Sequence, residues 1–274
     1  MSLTARLGPK GTIALAIVVL AVVLALFAPW ISPFPDQGAG APNIADKFQP
    51  PSLTHLFGTD HLGRDMVSRV IYGARVSLTS GLLIVFVALA VGLPVGLIAG
   101  YAGGWWDEGL MRMTDVFLAF PALLLAVLMA AALGPGLINA ILAVAVTWWP
   151  WYARIARAEV LALRGQPYVE AARLMGVSHP RILIRHILPA ALRPLSVQAA
   201  LDVGPALLTA SALSFLGLGV LPPTADWGQM VDAGRKFFPE RWWYSAAPGL
   251  AVFLLALAFS VLGDALRDRE GEDA

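Results

Sequence analysis

The side chains best suited to catalysis or metal binding do not form a recognised active-site pattern in this sequence. His55, His61, His179 and His186 show no His-Glu-x-x-His spacing, so no metal site is expected. No lysine precedes Ser or Thr as in a nucleotide-binding P-loop, and no Gly-x-Ser-x-Gly motif indicates a serine hydrolase. The absence of cysteine excludes thiol catalysis. The sequence therefore predicts neither an enzyme nor a cofactor.

Three acidic residues carry the remaining possibilities for ligand chemistry. Asp60 and Asp65 flank Arg64 and could bind a ligand, but arginine–carboxylate contacts that order the segment are the favoured interpretation. Asp202 lies beside an apolar run, where an ionisable group is either a structural residue or a proton relay. A proton relay would make the protein an ion-coupled secondary transporter, an alternative that stays open at this point.

Helix signals cluster in residues 166–189, named here the docking segment. Pro167 in a first turn and Gly176 at an end predict a short helix between them, and Ser178 predicts the start of a second helix, which Pro189 is expected to end. So short a helix is marginal alone, so its apolar stripe must pack against something. The stripe is expected to comprise Tyr168, Ala172 and Met175. Such a pair suits docking to a partner, and an amphipathic pair on a lipid surface is the alternative.

The composition is that of a membrane protein, so the short helices adjoin a membrane-embedded part of the chain. Hydrophobic residues make up 58% of the 274 residues and charged residues 14%, against roughly 45–50% and about 25% in soluble domains. The net charge of +1 gives no footprint for nucleic acid. Charge-free runs near the length of a bilayer crossing predict six transmembrane helices. The predicted spans are residues 12–31, 76–101, 116–133, 136–152, 203–221 and 244–262.

The distribution of lysine and arginine predicts the orientation of these spans. With the N-terminus inside, the predicted cytoplasmic segments carry 12 Lys and Arg and the external loops carry 7. Both termini are therefore expected in the cytoplasm, and the first span is expected to be a retained anchor rather than a signal peptide. Residues 32–75 and 222–243 then form external loops, and residues 153–193 form a cytoplasmic segment.

Several motifs resemble those of permease subunits of binding-protein-dependent ABC importers. Glu170-Ala171-Ala172, then Gly176 after three residues and His186-Ile187-Leu188-Pro189 after nine more, is similar to the EAA loop of that family. Further matches to its dipeptide, oligopeptide and nickel permeases lie in residues 58–78, 214–228 and 263–268. The resemblance covers nearly the whole chain and implies the C-type partner of a two-permease heterodimer.

The resemblance implies an all-α integral membrane protein with the type I ABC importer permease fold, six transmembrane helices and a cytoplasmic coupling-helix loop at residues 153–193. Residues 1–75 are expected to hold the N-terminal tail, first helix and external loop, and residues 76–274 the core permease domain. In the family the EAA loop docks on the ATPase. The residues expected to couple to the ATPase are Glu170, Ala171, Ala172, Gly176, His186 and Pro189.

The expected partners and location also follow from the resemblance. They are a second homologous permease subunit, two cytoplasmic ATP-binding subunits, an extracytoplasmic substrate-binding protein and the lipid bilayer of the bacterial inner membrane. The expected cargo is a di- or oligopeptide or a related small solute, such as a glutathione-like molecule or a nickel complex. No metal, cofactor or nucleic acid is implied, and substrate-binding residues are not identified.

Overall fold

The computed structural model describes residues 3–272, and the side chains of residues 8–268, as a bundle of helices. The prediction of an all-α fold is confirmed for these residues. A 3₁₀ turn spans Ile44–Asp46, and a π-helical turn spans Leu183–Ile187. The α-helices are α1 (Leu3–Leu26), α2 (Ala28–Ile31), α3 (Pro35–Ala39), α4 (Met66–Ala102), α5 (Gly104–Leu118), α6 (Ala122–Leu133), α7 (Leu137–Leu163), α8 (Pro167–Leu174), α9 (His179–Ile182), α10 (Leu188–Phe215), α11 (Trp227–Arg235) and α12 (Trp242–Glu272).

The number of membrane crossings differs from the expectation. Among the described residues, three helices are long and apolar enough to span a bilayer: α1 from Gly8, α4, and α12 as far as Asp268. Helices α5 and α6 give a fourth span if taken together, but they are bent by 87° at the break before Ala122. Six crossings are therefore not confirmed by length and composition. Pro121 stands at this break, as the residue before the first turn of α6.

The most extensive contact between two helices of the described bundle is that of α4 with α7. Gly92, Gly96 and Gly100 follow one another at every fourth residue of α4, so they form a stripe on one face. A Cβ atom on Gly96 would overlap the carbonyl oxygen of Ala153, and one on Gly100 would lie 2.9 Å from that of Arg157. The two helix backbones therefore touch directly, as small residues allow between membrane helices.

The segment before α4 is held by buried charges. The Arg64 Nε atom donates a 2.6 Å hydrogen bond to Asp60 Oδ2, and both side chains are buried. Asp65 accepts a 2.7 Å hydrogen bond from the backbone N–H of Ser68 and so caps α4, while its other oxygen lies 3.0 Å from His55 Nδ1. The expected arginine–carboxylate contact is confirmed for Asp60, whereas Asp65 orders the segment through Ser68 and His55 and not through Arg64.

The two loops expected to be external, residues 32–75 and 222–243, are joined to each other and to the ends of the long helices. The Trp227 indole donates to the Val70 carbonyl at 2.9 Å, which connects α11 to α4. Arg69 is buried and donates to the Pro223 carbonyl at 2.8 Å. His61 Nδ1 lies 2.6 Å from the Tyr244 hydroxyl at the start of α12. One end of the bundle is therefore closed by an ordered cap rather than by free loops.

Candidate functional site

Helix α8 forms as predicted, but it buries a different face from the one expected. Pro167 occupies the first turn, and Val169 and Ala172 are 0% and 1% exposed. Tyr168 is 44% exposed and Met175 is 76% exposed, so of the expected stripe only Ala172 is buried. Met175 lies beyond the last helical residue, which removes it from the helix face. The predicted stripe is therefore wrong for Tyr168 and Met175, and Val169 forms the buried face together with Ala172.

The buried face of α8 packs against the ends of three other elements. Val169 and Ala172 belong to one apolar cluster with Leu97 of α4, Val160 of α7 and Ile187 before α10. The short helix is therefore anchored to the two helices joined by the glycine stripe. Because its apolar face is covered by protein, α8 does not need a lipid surface to be stable.

The opposite face of α8 is left exposed together with the turn that follows it. Glu170 and Ala171 lie on this face, and Leu174 and Met175 at its end are 90% and 76% exposed. Adjacent large apolar side chains with this degree of exposure indicate a surface that a partner covers. Glu170, Leu174 and Met175 are named here the α8 tip.

Gly176 ends α8 in a left-handed conformation, with φ of +76°. Its N–H donates to the Arg173 carbonyl at 2.9 Å, and the Val177 N–H donates to the Ala172 carbonyl at 3.1 Å. These two bonds form a Schellman motif, the C-terminal stop that glycine favours. A Cβ atom at this position would meet nothing within 4 Å, so glycine is required for its backbone conformation and not for space.

The second helix of the docking segment does not end at Pro189, which corrects the expectation. Helix α9 continues through the π-helical turn into α10, and Pro189 occupies the first turn of α10. Proline has no N–H to donate to the carbonyl four residues earlier. The π-helical turn before Pro189 is wider than an α-helical turn, and in it the Leu188 N–H donates to the Leu183 carbonyl five residues earlier. Ser178 stands at the predicted N-cap, but its side chain makes no capping hydrogen bond.

His186 contacts α8 through its backbone. Its carbonyl oxygen lies 3.4 Å from the donating hydroxyl of Tyr168, and its side chain is half-buried. The geometry therefore brings His186 close to α8, while Glu170 and Gly176 lie on the exposed side. Pro189 is exposed at the start of α10.

Tyr101, near the end of α4, is a contact residue that sequence reasoning missed. Its hydroxyl lies 2.8 Å from His179 Nδ1, which ties α9 to α4. The guanidinium of Arg173 lies 5.6 Å from its ring centroid, within the range of a cation–π contact, which ties α8 to the same side chain. Its position at the end of an apolar run was the only available signal, because aromatic residues often occupy such ends.

Ion pairs hold α5 against α7 near the docking segment. Arg157 donates two hydrogen bonds to the Asp107 carboxylate, at 2.5 and 2.7 Å. This bidentate geometry is the strong form of an arginine–carboxylate contact. Arg164, one residue beyond α7, donates to the Gly100 carbonyl at 3.0 Å. The ends of α4, α5 and α7 are thus fixed to one another where α8 packs on them.

Asp202 lies on α10 and faces α7. The Tyr152 hydroxyl donates to it at 2.6 Å, and the Gln198 side-chain amide donates at 2.9 Å. No cationic side chain of residues 8–268 forms an ion pair with it. These contacts show a residue that connects two helices, which is the structural alternative considered for it.

The described residues thus form a bundle with long apolar helices, a cap of joined loops at one end, and a short helix whose apolar tip is exposed. Comparison with known proteins specifies the class. Residues 92–271 match the model of the binding-protein-dependent transport system inner membrane component, and the chain belongs to this family. Residues 10–51 match the N-terminal transmembrane domain of oligopeptide transport permease C.

Curated relatives agree with this assignment over nearly their full length. The chain is 42% identical over 260 residues to a probable D,D-dipeptide transport system permease protein of Escherichia coli, covering 95% of this chain and 86% of the relative. It is 41% identical to a dipeptide permease protein of Alkalihalophilus pseudofirmus, covering 93% and 83%. It is 44% identical to a glutathione permease protein of Shigella dysenteriae, covering 92% and 82%.

Solved structures give the same fold. Chains of the MetNI methionine ABC transporter, in inward-facing conformations, superpose with a TM-score of 0.59 at 20% identity, covering 74% of this chain and 97% of theirs. The protein is thus a permease subunit of an ABC importer of the inner membrane. It is not an enzyme, because the ATPase of such an importer is a separate subunit, and the secondary-transporter alternative is wrong for this chain.

Proposed function

We propose that this chain is the C-type half of a heterodimeric pathway that imports peptides or a related small solute. The cargo named for its relatives, dipeptides and glutathione, supports a peptide-like substrate. The second half is a homologous permease subunit, and two ATP-binding subunits drive the cycle. A binding protein delivers the substrate to the external loops, residues 32–75 and 222–243. The ordered cap formed by these loops is suited to such docking.

The docking segment couples the permease to the ATPase in this proposal. The single observation that carries it is the division of α8 into two faces, one buried on the bundle and the other ending in the exposed α8 tip. Glu170, Ala171, Ala172 and Gly176 form the coupling elbow, with Leu174 and Met175 as apolar contacts for the ATPase. His186 and Pro189 fix the helix that follows. These residues act by contact and not by chemistry.

Movement of the ATPase would reach the bundle through the contacts already described. Val169 and Ala172 transmit it to Leu97 and Val160, and Tyr101 adds a polar link through Arg173 and His179. Because α4 and α7 are in backbone contact, both helices receive the displacement together. ATP binding can shift the permease only through contacts that differ between its two conformations, and the α8 tip is the surface suited to make them.

We further propose six membrane crossings, with both termini in the cytoplasm. Helices α7 and α10 have 27 and 28 residues, and a helix of that length extends about 40 Å, more than the hydrocarbon core of about 30 Å. The excess of Lys and Arg in the cytoplasmic segments supports the orientation. Residues 1–75 then act as an N-terminal unit beside the core domain of residues 76–274.

Co-purification tests the coupling proposal. A tagged chain expressed with its operon partners should retain a second permease and P-loop ATPases in gentle detergent. Leu174→Asp should reduce ATPase recovery several-fold, because a charge replaces an apolar contact, while the second permease stays bound. Leu53→Asp is the matched control for ATPase recovery, since Leu53 is 98% exposed in the external loop. Full ATPase recovery with Leu174→Asp would remove the α8 tip from the interface.

A further inference from the structure

An apolar groove lies between α1 and α12, apart from the docking segment. Ala14 and Ala258 form its floor and are 3% and 2% exposed. Ile13, Leu254 and Leu257 form its sides and keep 41–62% of their surface exposed. Small residues between larger ones leave an open channel with an empty volume of about 520 Å³, including the space open to the surroundings.

The positively charged side chain of Lys10 lies at one end of the groove. Lys10 lines the groove at its N-terminal end on α1, and its ammonium forms no ion pair with the acidic side chains of residues 8–268. The rest of the lining is apolar. This lining is complementary to a ligand with an anionic group at one end and a hydrocarbon chain beyond it.

The length of the groove places it within one leaflet of the bilayer. From Lys10 to Ile17 it covers eight residues, a rise of about 10 Å along the helix. One leaflet of a bilayer is about 15 Å thick. Beyond this point α1 turns Val18 and Ala21 toward the bundle core. The groove matches an acyl chain of one leaflet.

We propose that this groove binds one anionic phospholipid, with an acyl chain between α1 and α12 and its headgroup phosphate at Lys10. Because the N-terminal end of α1 is proposed to be cytoplasmic, the lipid belongs to the inner leaflet. Its chain fills the groove above Ala14 and Ala258 and adds to the direct contacts between α1 and α12. The binding itself does not depend on the proposed orientation or cargo.

Native mass spectrometry of the full chain in detergent tests the site. Dioleoyl phosphatidylglycerol and dioleoyl phosphatidylcholine are titrated separately, since they share acyl chains and differ in headgroup charge. Wild-type protein should retain one tightly bound phosphatidylglycerol and much less phosphatidylcholine. Lys10→Gln should weaken phosphatidylglycerol binding about fivefold, the effect expected for one basic side chain at a lipid headgroup. Ile17→Trp should fill the channel and weaken binding of both lipids.

Two matched variants separate the groove from the rest of the surface. Val19→Trp adds the same side chain on α1 at a position that is 52% exposed outside the groove, and Lys47→Gln removes a lysine from the external loop. Both should retain the lipid as the wild type does. Equal retention by Lys10→Gln and Ile17→Trp would overturn the proposal. In the co-purification experiment above, loss of the second permease with Ile17→Trp would also overturn it, since the occupant would then be that subunit.

Discussion

The Tyr152 hydroxyl lies 2.6 Å from Asp202 Oδ2 and joins α7 to α10, the two long helices between which the docking segment is inserted. Tyr152 is fully buried, so its hydroxyl has no water as a replacement partner. The contact therefore holds together, in this conformation, the helices that enter and leave the docking segment.

The polar contacts of Asp202 should depend on hydrogen bonding rather than on negative charge. Asp202→Asn keeps an oxygen acceptor for Tyr152, and the Gln198 amide can rotate to accept from the new amide group. We expect thermal stability and ATP-driven uptake near those of the wild type. Asp202→Ala leaves the Tyr152 hydroxyl unpaired and should lower the free energy of unfolding by about 1–3 kcal/mol. Loss of uptake with Asp202→Asn at normal stability would contradict a structural role.

The effect of a substitution at Gly176 should depend on how readily the new residue adopts a left-handed backbone conformation and not on the size of its side chain. Gly176→Val forces a β-branched residue into the left-handed region, at a penalty of about 1–2 kcal/mol, and should reduce ATPase-coupled uptake while membrane insertion is retained. Gly176→Asn is the matched control, because asparagine adopts this conformation more readily. Uptake and ATPase activity are measured in proteoliposomes that contain the complete importer. Equal activities of the two variants would show that the Schellman turn does not matter for coupling.

The glycine stripe should be sensitive to a single methyl group. Gly96→Ala places a Cβ atom against the Ala153 carbonyl and should destabilise the protein by about 1–3 kcal/mol or more, because two backbones would have to separate. Gly109→Ala is the control, since a Cβ there meets nothing within 4 Å and alanine favours the helix. Thermal unfolding in detergent compares the two variants. Gly96→Ala with wild-type stability would mean that α4 and α7 separate without penalty.

The cap that contains His61 should lose stability at acidic pH. Burial lowers the pKa of His61 from its ordinary value of 6.5, opposed by Asp60 and assisted by Arg64. Because the folded protein disfavours protonation, the contribution is complete above pH 6.5 and is lost as the pH falls through the lowered pKa. His61→Gln should flatten this part of the pH profile of the melting temperature. An unchanged slope would show that His61 is not its source.

The local signals in the sequence were sufficient to locate the elements of the docking segment. Pro167 and Gly176 bracket α8 because their backbone restrictions act within one turn. The buried face was predicted less well: spacing alone allowed Tyr168, Ala172 and Met175, but in the folded chain Val169 joins Ala172 in the apolar cluster instead. Single-sequence periodicity does not contain that information, since the partner surface comes from helices distant in the chain.

Pro189 shows a second limit of sequence reasoning. Proline removes a hydrogen bond wherever it stands, which predicted a helix end at this position. The chain instead inserts a π-helical turn and continues into α10. The Asp60–Arg64 contact was predictable because the two residues are four positions apart, whereas the pairing of Tyr101 with His179 joins residues 78 positions apart. Only the assembled bundle brings the second pair together.

The backbone contact between α4 and α7 also determines the distances that spin labels would report in the working importer. With glycine at the contact there is no side chain whose rotation can absorb strain, so the pair moves as one rigid body. Spin labels placed on these two helices would keep a constant separation throughout the transport cycle. Labels that span α7 and α10 would report the changes instead. Since the chain has no cysteine, each pair can be introduced without removing a native thiol.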